Sequence, residues 1–354
     1  MTFTPIETAV IGYGFSAKTF HIPFITSLPE FELAAISSSQ REQVLADWPT
    51  VDCYSSAQDL IAQSDAQLVN ITAPNSVHFE LAKAALESGK HVVLEKPFVT
   101  RVEDGEALIK LAREKGKILS VYHNRRWDGD FLTVKQMLDD KAFGELKHYE
   151  SHFDRFRPQV RQRWREQASD GGGVLFDLGP HLIDQALALF GVPNAISAQC
   201  EIMREGSNNV DYFNVVLHYD NHLAILHCDL FTASPNKRFT IKGTKGSFEK
   251  CGLDPQEPRL IAGALPIDES WAAETPNQYG TFYDGANEKA IQTQTGGYQH
   301  YFTQLAEAIT TNAIPPVTAE DALLTIKLIE LAIKSSQTGR RLTLANEFGR
   351  QCDE

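Results

Sequence analysis

The chain has 354 residues, of which 42% are hydrophobic and 22% are charged, and its formal net charge is −13 at pH 7. This length is enough for two domains, and the composition is typical of a soluble globular protein. The acidic balance argues against nucleic-acid binding, and no apolar run approaches the roughly 18 residues that a membrane span needs.

The five cysteines are scattered along the chain without a CxxC pair. An odd, dispersed set is typical of reduced thiols, and it argues against both a disulfide framework and a zinc site. The N-terminal segment lacks the basic and apolar regions of a secretory signal. We therefore predict a cytoplasmic protein without a metal site.

Short apolar segments alternate with segments of helical periodicity from residue 6 to about residue 122. The predicted strands are ETAVIGYG, FELAAISSS, AQLVNITAP, GKHVVLEKP and GKILSVYHN. The segments NSVHFELAKAALESG and RVEDGEALIKLAREKG are apolar at helical spacing and end at glycine, which predicts helices. This alternation predicts a doubly wound parallel sheet that is covered on both faces. Pro23 is expected to kink the first helix or to end it early.

The pattern changes after residue 122. A helix (DFLTVKQMLDDKAFG) and a strand (ELKHYESHFDRF) precede an arginine-rich loop at 157–170 and a helix that ends near Phe190. Five consecutive strand-like segments with short turns then predict a large, mostly antiparallel open sheet. A long surface excursion is predicted from residue 252 to about 296, followed by two helices. The predicted architecture is α/β, with a Rossmann domain at 1–122 and an α+β domain at 123–354.

A glycine-rich turn follows the first predicted strand. Gly12, Gly14 and Ala17 match the GxGxxA pattern between a strand and a helix, where glycines allow the backbone to approach a pyrophosphate. The alternative is a flexible loop with incidental glycines, but the strand, the helix and the βαβ rhythm together favour a dinucleotide site.

The end of the second predicted strand bears on the choice of nucleotide. An acidic residue there would bind the ribose diol of NAD, but this chain has Ser37, Ser38 and Arg41 in that region. Hydroxyl and guanidinium donors suit the additional phosphate of NADP. The alternative is that Arg41 is solvated and the serines cap the next helix. The missing acid favours NADP over NAD.

Two further motifs carry groups suited to proton transfer. Lys96 follows Glu95 and precedes Pro97 at the carboxyl end of a predicted parallel strand, where ligands bind in such sheets. The peptide bond between Lys96 and Pro97 is a candidate cis bond.

The second motif is a pair of polar residues on a predicted helix. Asp177 and His181 are four residues apart, so one helix face would hold both, and Pro180 is expected to start the regular helix near Gly179 or to kink it. An aspartate beside a histidine orients the imidazole for proton transfer, although many histidines only cap or pack.

These motifs together resemble the glucose–fructose oxidoreductase, inositol dehydrogenase and MocA-like (Gfo/Idh/MocA) oxidoreductases over essentially the whole chain. The resembling stretches are GYGFSAKTFH, TAPNSVHFELAKAALESGKHVVLEKP, SVYHNRRWDGDFLT and GGGVLFDLGPHLIDQ. The segments SVYHNRRWDGDFLT, FDRFRPQVRQRWRE and VTAEDAL are more narrowly similar to the branch that contains NADP-dependent scyllo-inositol dehydrogenase.

The resemblance implies an NADP-dependent dehydrogenase of a polyol, most specifically a cyclitol, which forms homodimers or homotetramers. The implied catalytic group is Lys96, Asp177 and His181. The candidate cofactor residues besides the glycine turn and the second strand end are Phe15, Thr72, Pro74, Asn75, His78, Glu95 and Pro97. The alternatives are a sugar or diol dehydrogenase, a ketone reductase, and a regulator that binds the nucleotide without catalysis.

All five candidate substrate residues lie beyond the predicted Rossmann domain. They are His123, Arg125, Asp154, Trp164 and Tyr298. Aromatic residues are more often core than site, and Asp154 is an alternative partner for a neighbouring arginine. The arginine cluster comprises Arg155, Arg157, Arg161, Arg163 and Arg165. It suits an anionic substrate, the cofactor phosphates or surface ion pairs, and the last two are favoured.

Overall fold

The computed structural model describes residues 4–161, 171–268 and 270–347. Two compact units emerge from the contacts within the chain. The first comprises residues up to Trp127 with Pro255–Ala272 and Gly297–Leu324, and the second comprises Asp128–Asp254, Ala273–Gly296 and the residues from Thr325 onward. The contiguous domains at 1–122 and 123–354 stay a prediction.

A six-stranded parallel sheet forms the centre of the first unit, in the order β3-β2-β1-β4-β5-β6. Its strands are β1 (Ile6–Ile11), β2 (Phe31–Ser37), β3 (Asp52–Tyr54), β4 (Leu68–Ile71), β5 (His91–Leu94) and β6 (Leu119–Val121). The helices along this part of the chain are α1 (Ile22–Ser27), α2 (Arg41–Asp47), α3 (Ala57–Gln63), α4 (His78–Glu87) and α5 (Val102–Lys115). The parallel sheet is confirmed, and β3 is an addition because its sequence DCY lacks an apolar run.

The first helix does not end at Pro23. Instead, a π-helical stretch at Ala17–His21 leads into α1, whose first turn contains the proline. Because proline has no N–H to give to the carbonyl four residues earlier, a change of helical geometry before it accommodates the ring without ending the helix.

The second unit contains a nine-stranded sheet in the order β14-β13-β12-β11-β7-β10-β9-β8-β15. Only the β7–β10 pair is parallel among the pairs of this sheet in the described residues, so the mostly antiparallel prediction is confirmed. Its strands are β7 (Leu146–His152), β8 (Ala195–Glu201), β9 (Tyr212–His218), β10 (Leu223–Cys228), β11 (Phe239–Gly243), β12 (Gly246–Lys250), β13 (Gly280–Tyr283), β14 (Glu288–Ile291) and β15 (Leu342–Thr343). The remaining α-helices within the described residues are α6 (Gly129–Asp139), α7 (Gly173–Asp177), α8 (Gly179–Phe190), α9 (Gln256–Ile261), α10 (Gln299–Thr311), α11 (Ala319–Thr338) and α12 (Leu344–Glu347).

The prediction of a surface excursion from 252 to about 296 is wrong for much of that range. It contains α9 in the first unit, and β13 and β14 extend the sheet of the second unit at its β12 edge. These strands are four residues each, too short to stand out against the glycine and polar residues around them.

Strand alternation gives the second sheet two different faces. Tyr149 and Ser151 of β7 are buried, and the Tyr149 ring contacts Phe190 of α8 with 5.1 Å between centroids. His148, Glu150 and His152 project from the opposite face, because successive side chains of a strand point to opposite sides. In the part of the chain that is described, no helix has both the length and the apolar character required to cross a membrane.

Candidate active site

The glycine turn after β1 provides space for a bound group. Gly12 has φ of +96°, and a Cβ on it would lie 2.9 Å from Oγ1 of Thr72, so both the conformation and the packing require glycine. A Cβ on Gly14 would meet no atom within 4 Å, which leaves its backbone open to approach. Ala17 is fully buried under the turn. This open, glycine-built turn fits the pyrophosphate of a dinucleotide.

A carboxylate links the helix after the glycine turn to the end of β5. Glu95 accepts hydrogen bonds from the Ser16 hydroxyl and from Nε2 of His21, the latter at 2.9 Å. Ser16 and His21 are five residues apart, and the π-helical stretch between them, with hydrogen bonds from i to i+5, brings such residues towards one side. We call Ser16, His21 and Glu95 the Glu95 cluster.

The electrostatics of the Glu95 cluster favour the charged carboxylate. Burial by itself raises the pKa of Glu95, whose side chain is 13% exposed. The hydrogen bonds from His21 and Ser16, together with the charges of His21 and Lys96, outweigh this effect and lower the pKa from its usual 4.5 to about 2. Glu95 is therefore a fixed anion beside Lys96 at neutral pH.

Lys96 and Pro97 follow directly, joined by a cis peptide bond. His78 supports this segment from α4: its Nδ1 lies 3.0 Å from the Pro97 carbonyl oxygen, and its Nε2 lies 3.0 Å from the Ala73 carbonyl oxygen. Burial lowers the pKa of His78, so the ring is neutral at pH 7 and donates through only one nitrogen at a time. His78 is thus a buried brace behind the Glu-Lys-Pro segment.

The residues predicted to select NADP lie at the carboxyl end of β2. Ser37 is buried, whereas Ser38 and Arg41 are not. The Ser38 hydroxyl accepts a hydrogen bond of 3.0 Å from the Gln40 N–H at the start of α2. Arg41, the first residue of α2, donates to the Cys53 carbonyl oxygen. The structure thus holds both residues at the edge of the sheet through neighbouring backbone.

The other predicted cofactor residues lie in loops of the first unit. Phe15 is 56% exposed directly after Gly14, and its ring packs edge-on against Phe20. Pro74 and Asn75 begin the short 3-10 helix Asn75–Val77 after β4. Because β1 and β4 are adjacent, these loops follow the carboxyl ends of neighbouring strands.

Three predicted substrate residues also belong to the first unit. His123 and Arg125 are buried just beyond β6, and Arg125 forms an ion pair of 2.7 Å with Glu257 of α9. Tyr298 has no exposed surface, and its ring packs near Phe20 and Phe24. Tyr298 therefore occupies an aromatic core here, which was the alternative considered for it.

The predicted Asp-His pair lies in the second unit across a helix break. Asp177 ends α7, and His181 lies in the first turn of α8, which begins at Gly179 as Pro180 predicts. His181 is 5% exposed and its ring lies near that of Phe153. Gly173 starts α7 with φ of +81°, where a Cβ would lie 2.6 Å from the Val210 carbonyl oxygen.

Asp154 belongs to a row of alternating acids and histidines that the sequence analysis missed. The row crosses the exposed face of β7 and β10, and we call it the His–acid ladder. Its members are His148, Glu150, His152, Asp154 and His227. The hydrogen bond from His152 is the main cause that lowers the pKa of Glu150 to about 2, against the opposing effect of burial. The period-two spacing of HYESHFD was the available signal.

Several members of the predicted arginine cluster have contacts within the second unit. The guanidinium of Arg155 lies 5.9 Å from the Phe153 ring centroid, and Arg204 donates to the backbone carbonyl of Arg157. Arg161 is exposed. Trp164, Arg163 and Arg165 lie outside the described residues.

Comparison with known proteins places the chain in a family. Residues 6–123 match the model of the oxidoreductase family's NAD-binding Rossmann fold (GFO_IDH_MocA), and residues 135–344 match the model of its C-terminal alpha/beta domain. The chain therefore belongs to the Gfo/Idh/MocA oxidoreductase family, as its motifs predicted.

Individual relatives match over nearly the full length. The chain is 44% identical to the uncharacterized oxidoreductase YdgJ of Escherichia coli, over 96% of this chain and 99% of that protein. It is 39% identical to IolW of Bacillus subtilis, a scyllo-inositol 2-dehydrogenase (NADP(+)), over 96% of each. The solved structure of YvaA from Bacillus subtilis has 38% identity and a TM-score of 0.92, covering 97% of this chain and 99% of that one.

Proposed function

We propose that this oxidoreductase transfers hydride between a hydroxyl-bearing carbon of a cyclitol, of the scyllo-inositol type, and NADP. The observation that carries the proposal is the 39% identity to IolW along nearly all of both chains. Two features of the first unit support NADP as the cofactor. The glycine turn after β1 is open to a pyrophosphate, and the carboxyl end of β2 carries no acidic residue that would repel the additional phosphate. A sugar or diol substrate is the alternative within the same chemistry.

The proposed chemistry assigns one role to each member of the catalytic group. The bound nicotinamide supplies the hydride acceptor. His181 removes the hydroxyl proton, and Asp177 orients the imidazole and stabilises its charged form. Lys96 donates a hydrogen bond to the substrate oxygen and stabilises its alkoxide character. In ketone reduction the same groups return the proton to that oxygen.

The site residues of the first unit support the proposed use of Lys96. Glu95 is held as an anion by Ser16 and His21, and it lies next to Lys96 in the chain. The charge of Lys96 is one of the causes that lower the pKa of Glu95, and an ammonium group can donate a hydrogen bond to an alkoxide oxygen. His78 braces the backbone on the other side of the lysine.

A substrate panel tests the proposed function. The purified full chain is incubated with NADP or NAD and with scyllo-inositol, myo-inositol, aldoses and simple diols, and the formation of reduced cofactor is followed by absorbance. We expect the highest kcat/KM for a cyclitol with NADP. A higher value for an aldose or diol would identify the alternative substrate class. No turnover with any member of the panel, despite measurable binding of NADP, would favour a regulator that binds the nucleotide without catalysis.

A further inference from the structure

The exposed face of the second unit's sheet carries a second set of ligating groups, separate from the proposed catalytic residues. His152 and His227 lie directly opposite each other on the parallel strands β7 and β10. Asp154 lies between them: its two oxygens are 2.7 Å from Nδ1 of His152 and 2.9 Å from Nδ1 of His227. One ligand atom from each residue falls within 4.8 Å of the others.

These distances are close to those of a metal site. Donors bound to one zinc ion at about 2.0–2.1 Å in a tetrahedral arrangement are about 3.3 Å apart, so an ion would replace the two hydrogen bonds of Asp154 and move those atoms apart by about half an ångström. Two imidazoles and one carboxylate are donors that zinc and similar transition ions prefer, whereas magnesium and calcium prefer oxygen ligands alone. Three protein ligands leave at least one position for water.

The groups behind the three ligands hold them in the required orientation. Both nitrogens of His152 face carboxylates, with Nδ1 2.7 Å from Asp154 and Nε2 2.7 Å from Glu150, so metal binding must displace the Nδ1 proton. The contact with Glu150 then keeps the remaining proton on Nε2 and orients the ring. The Asp154 carboxylate also accepts the Asp229 N–H at 3.2 Å, and the Asp154 N–H donates to Asn236 at 2.7 Å. The Tyr212 ring packs edge-to-face against the His227 imidazole, with 5.3 Å between the ring centroids.

The ligand side chains are sheltered but reachable from solvent. The exposed fractions are 14% for His152, 7% for Asp154 and 16% for His227. We propose that Nδ1 of His152, Nδ1 of His227 and the Asp154 carboxylate bind a divalent transition-metal ion of the zinc type, with Glu150 as the outer partner of His152. The sequence alone does not indicate this site, because His152 and Asp154 lie at and just after the end of β7 while His227 lies on β10, more than 70 residues away.

Zinc binding to the chelator-treated full chain tests this site. Competition with a chromogenic chelator should give one ion per chain, and both H227Q and H152Q should weaken the affinity at least about tenfold. H148Q is the matched control: His148 projects from the same face of β7 and contacts Glu150 but is not one of the three ligands, so its affinity should stay near that of the parent chain. Equal affinity in the parent chain, H227Q and H152Q would overturn the proposal, as would no binding to the parent chain.

Cobalt spectroscopy on the unmodified chain gives an independent answer should a variant fail to fold. Cobalt(II) bound to two imidazoles and a carboxylate should show visible bands that are stronger than those of the hydrated ion, and added zinc should remove them. A spectrum identical to hydrated cobalt would overturn the proposal. Neither readout uses dehydrogenase activity, so the result is independent of the proposed function.

Discussion

The Glu95 cluster and the His–acid ladder use the same chemistry in different structural settings. In both, imidazoles donate to carboxylates and lower the carboxylate pKa to about 2, as for Glu95, Glu150 and Asp154. Glu95 joins a helix to the end of a parallel strand in the first unit, whereas the ladder crosses one sheet face in the second.

The difference shows how the setting determines the role of an acid–histidine contact. The Glu95 cluster connects backbone segments around the glycine turn and Lys96, so its loss would disturb the proposed cofactor site. The ladder connects side chains that are 7% to 28% exposed on one face of a sheet whose backbone pairing does not depend on them. Three of its residues, His152, Asp154 and His227, form the proposed metal site. We therefore expect substitutions around the Glu95 cluster to lower activity and stability, and substitutions in the His–acid ladder to weaken metal binding without lowering activity.

The largest expected effect is on kcat, when Lys96 beside the Glu95 cluster is replaced. Replacing Lys96 with Met removes the proposed donor to the substrate oxygen and should lower kcat by about 10²–10⁴-fold. The affinity for NADPH, measured by fluorescence titration, should change little. Lys110→Met on the exposed surface of α5 is the matched control, and His148→Gln in the ladder should likewise leave kcat unchanged. Near-normal turnover of the Lys96 variant would remove Lys96 from the catalytic group.

Two glycines of the same turn should respond differently to an added methyl group. Gly12→Ala forces an unfavourable φ and a contact with Thr72, so the free energy of unfolding should fall by about 1–3 kcal/mol. Gly14→Ala has open space and should change that free energy by less than about 0.5 kcal/mol while weakening NADP binding. Urea unfolding and NADP titration measure both quantities. Unimpaired NADP binding by the Gly14 variant would contradict a pyrophosphate at this turn.

Matched glutamate variants compare the two regions directly. Glu95→Gln should lower the free energy of unfolding by about 1–3 kcal/mol, because buried partners lose a charged acceptor. Glu150→Gln should cost less than Glu95→Gln, because the Glu150 side chain is 28% exposed against 13% for Glu95 and solvent replaces part of the lost contacts. Urea unfolding at pH 7 measures both, and equal losses would contradict the distinction between the regions.

The pH dependence of the Glu95 contribution has a definite sign. Because folding lowers the pKa of Glu95, its stabilisation is fully present above about pH 4.5 and is lost as the pH falls towards about 2. The difference in unfolding free energy between the parent chain and Glu95→Gln should therefore shrink over that window. Urea titrations at several pH values check this, and a constant difference down to pH 2 would contradict the assigned charge state.

The most selective expected effect concerns the choice of cofactor. Arg41→Ala should raise KM for NADP by about ten- to a hundredfold, because a hydrogen bond to the additional phosphate is lost, and should leave KM for NAD unchanged. Arg101→Ala, an exposed arginine paired with Asp104, is the control. Equal changes for both cofactors would argue against a phosphate contact at Arg41.

Local patterns predicted most of the fold and only part of the site. Apolar runs and glycine stops predicted the parallel sheet, and Pro180 predicted where α8 begins. Short β3, β13 and β14 lack such patterns. Ser16 and His21 were missed because their alignment depends on π-helical geometry, and His227 was missed because its partners come from another strand. Contacts between residues that only the three-dimensional fold brings together produce no recognisable pattern of neighbouring residues in a single sequence.

Hydride transfer from labelled substrate tests the central claim most directly. The full chain is given NADP and scyllo-inositol that carries deuterium on its ring carbons, and the reduced cofactor is analysed by mass spectrometry. The proposed function predicts NADPH that carries one deuterium from the substrate carbon, and loss of this product in Lys96→Met. Reduced cofactor without deuterium, or no reduced cofactor from any cyclitol, would contradict it.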